Sequence, residues 1–346
     1  MKYSLLNLVH LRKGQDYPAA FDDMIQLAQA TEAFGYTRYW IAEHHNSPTI
    51  GSSATQVLIQ HTLSQTQTIR VGSGGVMLPN HSPYLVAEQY GTIETLYPGR
   101  LDLGLGRAPG TDAQTARAIR RTQSLYSDFE SEVNELTAYF EGTAPVHAYP
   151  AEGLNIPLYI LGSSTDSAYL AAKLGRPYVF AAHFAPAMME EAIAIYRDQF
   201  QASQYLDKPY VILALNAILA ETDDHAAYLA TSQTQAFLGI VSGQRHGILP
   251  PVENEETVWS NYASVKGARH FGPIDFSQMD LVGRERAIVS QMTSVSIIGS
   301  PDTAKAQLKD LHQRVQYDEI MANTIVYDQQ ARIESYRLLA QVTNEL

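Results

Sequence analysis

Three short stretches of the chain combine residue types that can do chemistry with spacings that would let them act. Glu43-His44-His45 closes an apolar run. Neighbouring residues at the end of a strand point to opposite faces, so one histidine of the pair should face a binding cleft, where an imidazole can give or take a proton. For the same reason His44 and His45 should not share one metal ion. His10, His81 and His183 also fall near strand ends, but the chain has no His-x-His or His-Glu-x-x-His spacing, and no metal site is expected. The second stretch, Arg100-Leu-Asp-Leu-Gly-Leu-Gly-Arg107-Ala-Pro-Gly110, alternates leucines with small or acidic residues and then breaks into a turn that carries a lone arginine. The third, Gly162-Ser163-Ser164-Thr165-Asp166-Ser167, offers hydroxyls and free backbone N–H groups at the start of a helix, a suitable seat for a phosphate. Simple N-capping by serine is the plain alternative.

The elements that must position these residues alternate along the chain. Tyr3 to Val9, Tyr39 to Glu43, Ile69 to Leu78, Leu101 to Gly106, Pro157 to Leu161, Tyr178 to Ala182, Tyr210 to Ala220 and Glu319 to Tyr327 read as strands. Helical patterns separate them, with cap signals at Asp16, Ser52-Ser53, Ser82-Pro83 and Ser300-Pro301. Strands apolar on both faces and covered by helices indicate a parallel sheet, and a count of about eight makes a closed (β/α)8 barrel, a TIM barrel, the economical arrangement. A doubly wound open sheet is the runner-up. Residues 1–346 read as one domain, with residues 239–300 as an insertion or lid before the last strand, anchored by Trp259, Tyr262, Phe271 and Phe276.

In a barrel, consecutive strands are neighbours, so Arg107 after the fourth strand should meet Ser163, Ser164 and Ser167 after the fifth. A guanidinium fork with several hydroxyls makes a phosphate cradle. Gly74-Gly75, inside an otherwise apolar third strand, suggests a bulge or the close approach of a flat ligand. The candidate residues thus lie on one arc of strands two to five. Gly104-x-Gly106-x-x-Pro109-Gly110 is no dinucleotide fingerprint, since proline replaces the third glycine and three strand–helix units precede it.

Composition narrows the classes further. With 24 basic and 36 acidic residues among 346, the formal charge of -12 repels nucleic acid and anionic membranes, so an anionic ligand needs a local exception. The absence of cysteine excludes disulfides, thiolate metal sites and cysteine nucleophiles, and fits a reducing cytoplasm. The first nine residues lack the core of a signal peptide and no run is long enough for a membrane span, so a cytoplasmic protein is expected. Arg117, Arg120 and Arg121 read as a solvated helix face, with contact to an anionic substrate as the alternative.

Trp40-Ile-Ala-Glu-His-His45, Val71-Gly-Ser-Gly-Gly-Val-Met-Leu-Pro79, Arg100 to Gly110 and Tyr159-Ile-Leu-Gly-Ser-Ser164 together resemble the bacterial-luciferase-like flavin monooxygenases over most of the chain. The resemblance implies a (β/α)8 barrel that uses reduced FMN, supplied by a separate NAD(P)H-dependent flavin reductase, to oxidise a small-molecule substrate with O2. It implies that Arg107, Ser163, Ser164 and Ser167 grip the flavin phosphate and that Gly74 and Gly75, joined by a non-prolyl cis peptide, lie against the flavin ring. It assigns His44 as the catalytic acid/base, gives the insertion the task of excluding water, and suggests a homodimer. Gly106 stands where luciferases carry a reactive cysteine, and Ala182 where they carry a bulky aromatic, so light emission is not expected. A deazaflavin-dependent hydride-transfer enzyme of the same superfamily and a flavin-binding protein without turnover are the rival readings. An aldolase would need a lysine at a strand end and a metallohydrolase would need ligand spacing, and neither is present.

Overall fold

The computed structural model describes residues 1–120, 128–266 and 282–346. Its elements run β1 (Lys2–Asn7), α1 (Tyr17–Ala33), β2 (Arg38–Ile41), α2 (Thr55–Gln65), β3 (Arg70–Met77), α3 (Pro83–Leu96), β4 (Leu101–Gly106), α4 (Ala113–Arg120), α5 (Phe129–Glu141), β5 (Leu158–Gly162), α6 (Thr165–Lys173) and β6 (Tyr178–Ala181). They continue with α7 (Met189–Gln199), β7 (Val211–Leu219), α8 (Asp223–Ser242), α9 (Glu255–Lys266), α10 (Gly283–Met292), β8 (Ile297–Gly299), α11 (Pro301–Arg314), β9 (Glu319–Asn323) and α12 (Gln329–Asn344). The strands pair in parallel in the order β6-β5-β4-β3-β2-β1-β9-β7, and β6 also pairs with β7, so eight strands close into a TIM barrel. β8 lies outside it, against the far end of β7.

Local sequence explains the boundaries. Asp16 accepts the N–H of Ala19 and a proline occupies the first turn of α1. Helix α5 is capped by Asp128 at its start and ended by Gly142 in the left-handed conformation. Three expectations are corrected. The short strand β8 is not predicted by the sequence, because three residues between Ser296 and Ser300 give no periodic signal. The last strand stops at Asn323, short of Tyr327. Helix α8 runs on to Ser242, so the excursion before β8 begins later than residue 239, and it contains two helices, α9 and α10. Trp259 is buried there with Phe237, Val258 and Val289, while Phe271, Phe276 and Arg121 lie outside the described residues.

Two apolar layers separate along the strands. Leu5, Tyr39, Val71, Leu103 and Ile160 point outward into the shell between barrel and helices. Leu6, Trp40, Ala42, Tyr159, Val179, Ile212 and Met321 fill the barrel interior. Below this plug, at the N-terminal ends of the strands, lies a buried ionic network. Arg38 donates through Nε and Nη2 to Glu319 at 2.7 and 3.0 Å, and through Nη1 to Asp102 at 2.8 Å and the Tyr159 hydroxyl at 2.7 Å. Asp102 also accepts from Arg70 at 2.7 Å and from the Trp40 indole at 3.1 Å. Glu319 accepts from the Tyr210 hydroxyl at 2.7 Å and from the hydroxyl of Ser4. Burial alone would lower the Arg38 pKa, but Asp102 and Glu319 hold the guanidinium firmly charged.

Removing the central cation strands two carboxylates in the barrel. Arg38→Ala should therefore cost about 3–5 kcal/mol of unfolding free energy. Urea titration measures it, and a loss under about 1 kcal/mol would remove the network from any structural role.

Candidate active site

Strand parity sets the first half of the site. Trp40 and Ala42 point into the barrel. Continuing the alternation sends His44 into the mouth and leaves Glu43 and His45 on the outer side. In the structure His44 does reach the mouth, where it lines a cavity of about 570 Å³ together with His10, His183, Phe184, Phe237 and Ile325. His45, however, lines the same cavity, while its Nε2 is turned to Glu43. Burial depresses the His44 pKa, with its bond to the Gly110 backbone and the nearby Glu43 acting in the opposite sense. At neutral pH the imidazole is uncharged and ready to accept a proton. Burial takes His10 down to about 3, helped by Arg332 and His44, and takes His183 down to about 4, helped by His44. The segment after α8, including Gln244, His246 and Ile248, forms the opposite wall of the cavity. It is tied to the barrel by an isolated bridge between Ile248 and Arg12.

On the outer side, Glu43 Oε1 accepts from Nε2 of His45 at 2.9 Å and from Nε2 of His81 at 2.7 Å, while Oε2 accepts the backbone N–H of Met77 at 3.3 Å. Burial would raise this carboxyl, yet the two imidazole bonds pull it down to about 2. The ligating atoms of Glu43, His45 and His81 lie within 4.8 Å of one another, a donor set whose chemistry suits a divalent cation. Here each imidazole already donates to the carboxylate, and the three form a clamp between the ends of β2 and β3. Sequence reading missed it. The Glu43-x-His45 parity was available, but His81 arrives from beyond the next strand.

The second half of the site is the corner between β4 and β5. Arg107 follows directly on β4, its guanidinium half exposed and 3.4 Å from Asp166 in the first turn of α6. Ser164 is the N-cap of α6 but makes no side-chain cap bond. Arg107 thus meets the start of α6, beside Ser163 and Ser164. Ser167 does not join them. Its hydroxyl is buried, donating to the Ser164 carbonyl at 2.7 Å and lying 3.1 Å from the Tyr178 hydroxyl, so it shapes the loop instead of reaching outward. Gly162 makes this possible, because a Cβ there would stand 2.0 Å from Ser167 Oγ. Asp166 brings a carboxylate close to the same corner.

Gly74 and Gly75 are joined by a cis peptide, within a register shift between Ser73 and Val76. A Cβ at Gly74 would meet Leu6 at 2.5 Å, and one at Gly75 would meet the Gly104 carbonyl at 2.6 Å. The Gly104 backbone cannot yield, so Gly75 must be glycine, whereas the close contact at Gly74 is with the end of the Leu6 side chain. The cavity is lined by His44 but not by these glycines, nor by Arg107. Arg120 pairs with Glu132 at 3.5 Å and Arg117 is exposed, consistent with a helix surface.

Residues 1–317 match the model described as luciferase-like monooxygenase. The chain belongs to the luciferase-like monooxygenase family. A luciferase-like monooxygenase of Escherichia coli strain K12 is 41% identical over 348 residues, covering 99% of this chain and 97% of that protein. The N-acetyl-S-alkylcysteine monooxygenase of Bacillus subtilis is 38% identical over 193 residues, covering 52% and 57% of the two chains. Among solved structures, apo-MsnO8 superposes with a TM-score of 0.84 at 29% identity over 99% of this chain and 98% of its own. Two more distant structures share the fold. They are the oxygenating constituent of Pseudomonas putida 3,6-diketocamphane monooxygenase in complex with FMN (TM-score 0.68, 18% identity, 99% and 97% coverage) and an F420-dependent secondary alcohol dehydrogenase (TM-score 0.65, 12% identity, 99% and 99% coverage). Among the described residues, no helix of this family member is long and apolar enough to cross a membrane.

The neutral histidines predict an acid-side loss of stability. His10 and His183 stay neutral in the fold well below the pH at which an unfolded histidine, with pKa about 6.5, takes up a proton. The unfolded state therefore binds more protons, and stability falls as pH drops below about 6.5, by roughly 1–2 kcal/mol per residue at pH 5. Urea unfolding of the wild type and of His183→Phe at pH 7.5 and 5.0 should show a smaller drop in the variant. Equal drops would mean that His183 titrates normally.

Proposed function

We propose that the chain is an FMN-dependent monooxygenase that uses reduced flavin and O2 to oxidise a small organic substrate without emitting light. The flavin would come from a separate NAD(P)H-dependent reductase. The observation that carries the reading is the meeting of Arg107 with the uncapped start of α6, on the same barrel face as a cavity containing the neutral His44. Family members that are monooxygenases, and the FMN complex among the fold neighbours, support it. Arg107 and the hydroxyls of Ser163 and Ser164 would hold the phosphate, with Ser167 fixing the loop behind them. The wall at Gly74 and Gly75 would accept the flat ring. Reduced FMN, when bound, supplies the electrons that activate oxygen. His44 would take a proton from the substrate or return one to the product. The wall after α8 would keep bulk water out of the cavity.

A deazaflavin hydride-transfer enzyme is the alternative, and an F420-dependent fold neighbour keeps it in play. Arg107, already facing Asp166, matches a single phosphate better than the longer acidic tail of a deazaflavin. A binder without turnover would have no use for a neutral histidine in the cavity wall. Assembly as a homodimer follows from the family resemblance.

Anaerobic titration with reduced FMN tests the reading directly. Saturable binding is expected, and Arg107→Ala should weaken it by about 2 kcal/mol, roughly thirtyfold in Kd. Failure of the wild type to bind reduced FMN would move the deazaflavin to the front. His44→Ala should bind flavin as the wild type does but turn over about 100-fold more slowly. In the wild type, the rate should fall on the acid side as His44 becomes protonated, and that limb should vanish in the variant. A wild-type rate in His44→Ala would take this residue out of the chemistry.

A further inference from the structure

The three side chains of the clamp between β2 and β3 are also a set of metal ligands. Nε2 of His45 and Nε2 of His81 converge on Oε1 of Glu43, at 2.9 and 2.7 Å, and the three ligand atoms lie within 4.8 Å of one another. Two imidazole nitrogens and one carboxylate oxygen suit a divalent ion such as Zn2+, which binds both kinds of atom at about 2.0–2.2 Å. Tetrahedral ligands at that distance stand about 3.3 Å apart. Each N···O separation therefore has to open by only about half an ångström to admit the ion.

The surroundings allow that change. Glu43 is buried, and its Oε2 is occupied by the backbone N–H of Met77, which leaves Oε1 to face the imidazoles. The side chains of His45 and His81 are 16% and 27% exposed, so water and ions reach them. Neither Nδ1 bonds another protein group among the described residues, and neither is sealed from solvent. The hydrogen of each neutral ring can thus move from Nε2 to Nδ1, where water receives it, and leave the Nε2 lone pair for a metal.

The ligands are also held in place. After His45 the chain turns at Asn46, whose φ of 54° is in the left-handed region and whose Nδ2 donates to Asp112 at 2.9 Å. Before His81, Nδ2 of Asn80 donates to the Pro109 carbonyl at 2.6 Å. Both anchors belong to the loop that follows β4, so ligands from two different strand ends rest on one support. Such preorganisation lowers the entropy lost when three side chains are gathered round an ion.

We propose that Glu43, His45 and His81 form a binding site for a divalent transition-metal ion of the zinc type, with water completing the coordination. The bound ion replaces the two N–H···O bonds and ties the ends of β2 and β3 together by coordination. It lies at the margin of the cavity, because His45 lines that cavity. The site does not depend on the monooxygenase reading or on which flavin the barrel takes.

The test is calorimetric titration of the full chain, stripped with a chelator, with Zn2+ and with Mg2+. The expected result is one strong Zn2+ equivalent, with Mg2+ at least about a hundredfold weaker because it requires oxygen ligands. His81→Gln removes one partly exposed ligand and should weaken Zn2+ binding at least about a hundredfold. His147→Ala, which breaks the surface pair between His147 and Glu152, should leave it unchanged. Failure of the wild type to bind Zn2+ saturably would leave the three groups a hydrogen-bonded clamp only and overturn the proposal. Equal affinity for Mg2+ would also overturn it, and neither result needs a variant to fold. Undiminished binding by a folded His81→Gln, or loss of binding in His147→Ala, would put the ion elsewhere and overturn the assignment.

Discussion

The salt-bridged plug at the closed end of the barrel is the constraint on which the rest of the molecule depends. Arg38, Asp102 and Glu319 are buried charges, and each is acceptable only while the others face it. Strands cannot slip past one another by one residue without sending such a charge into the apolar shell. Because Arg38 must point inward, so must Trp40, Ala42 and, past the end of the strand, His44. Because Asp102 points inward, Gly104 and Gly106 do as well. The register of the reactive end is thus fixed at the opposite end of the strands. Replacing the plug by hydrocarbon could keep the stability, but it would remove the penalty that selects one register.

Much of this was legible in the sequence because it depends on periodicity and adjacency. Alternation of strand and helix gave the barrel, and the succession of the fourth and fifth strands placed Arg107 beside Ser164. The likeness of four short motifs to one family pointed to the same face. What stayed hidden depends on contacts between distant residues. The inward turn of Ser167 requires the missing Cβ of Gly162 and the hydroxyl of Tyr178. The clamp on Glu43 needs His81 from beyond β3. Asn323 was obscured because the apolar run from Glu319 to Tyr327 reads as one continuous strand, which hides the polar residue at its actual end.

Two polar arrangements at the mouth contrast in how they spend hydrogen bonds. Around Glu43 both oxygens are engaged and the group is rigidly defined, whereas around Asn323 the chain of amides ends on an oxygen with nothing to accept. A fully satisfied cluster holds backbone together. Both sit at the ends of strands, where the barrel hands its regular backbone over to loops.

The alternation through Ala42, Glu43, His44 and His45 also decides which kinds of genetic change this segment can absorb. Replacing one side chain removes one function, either the proton carrier or a member of the clamp. Adding or deleting a single residue between Arg38 and Glu43 would do more, since it would exchange the two faces and present Glu43 to the cavity while turning His44 outward. In this stretch the number of residues is held more tightly than their identity. Drift by substitution can proceed stepwise there, while a one-codon insertion or deletion removes both arrangements at once.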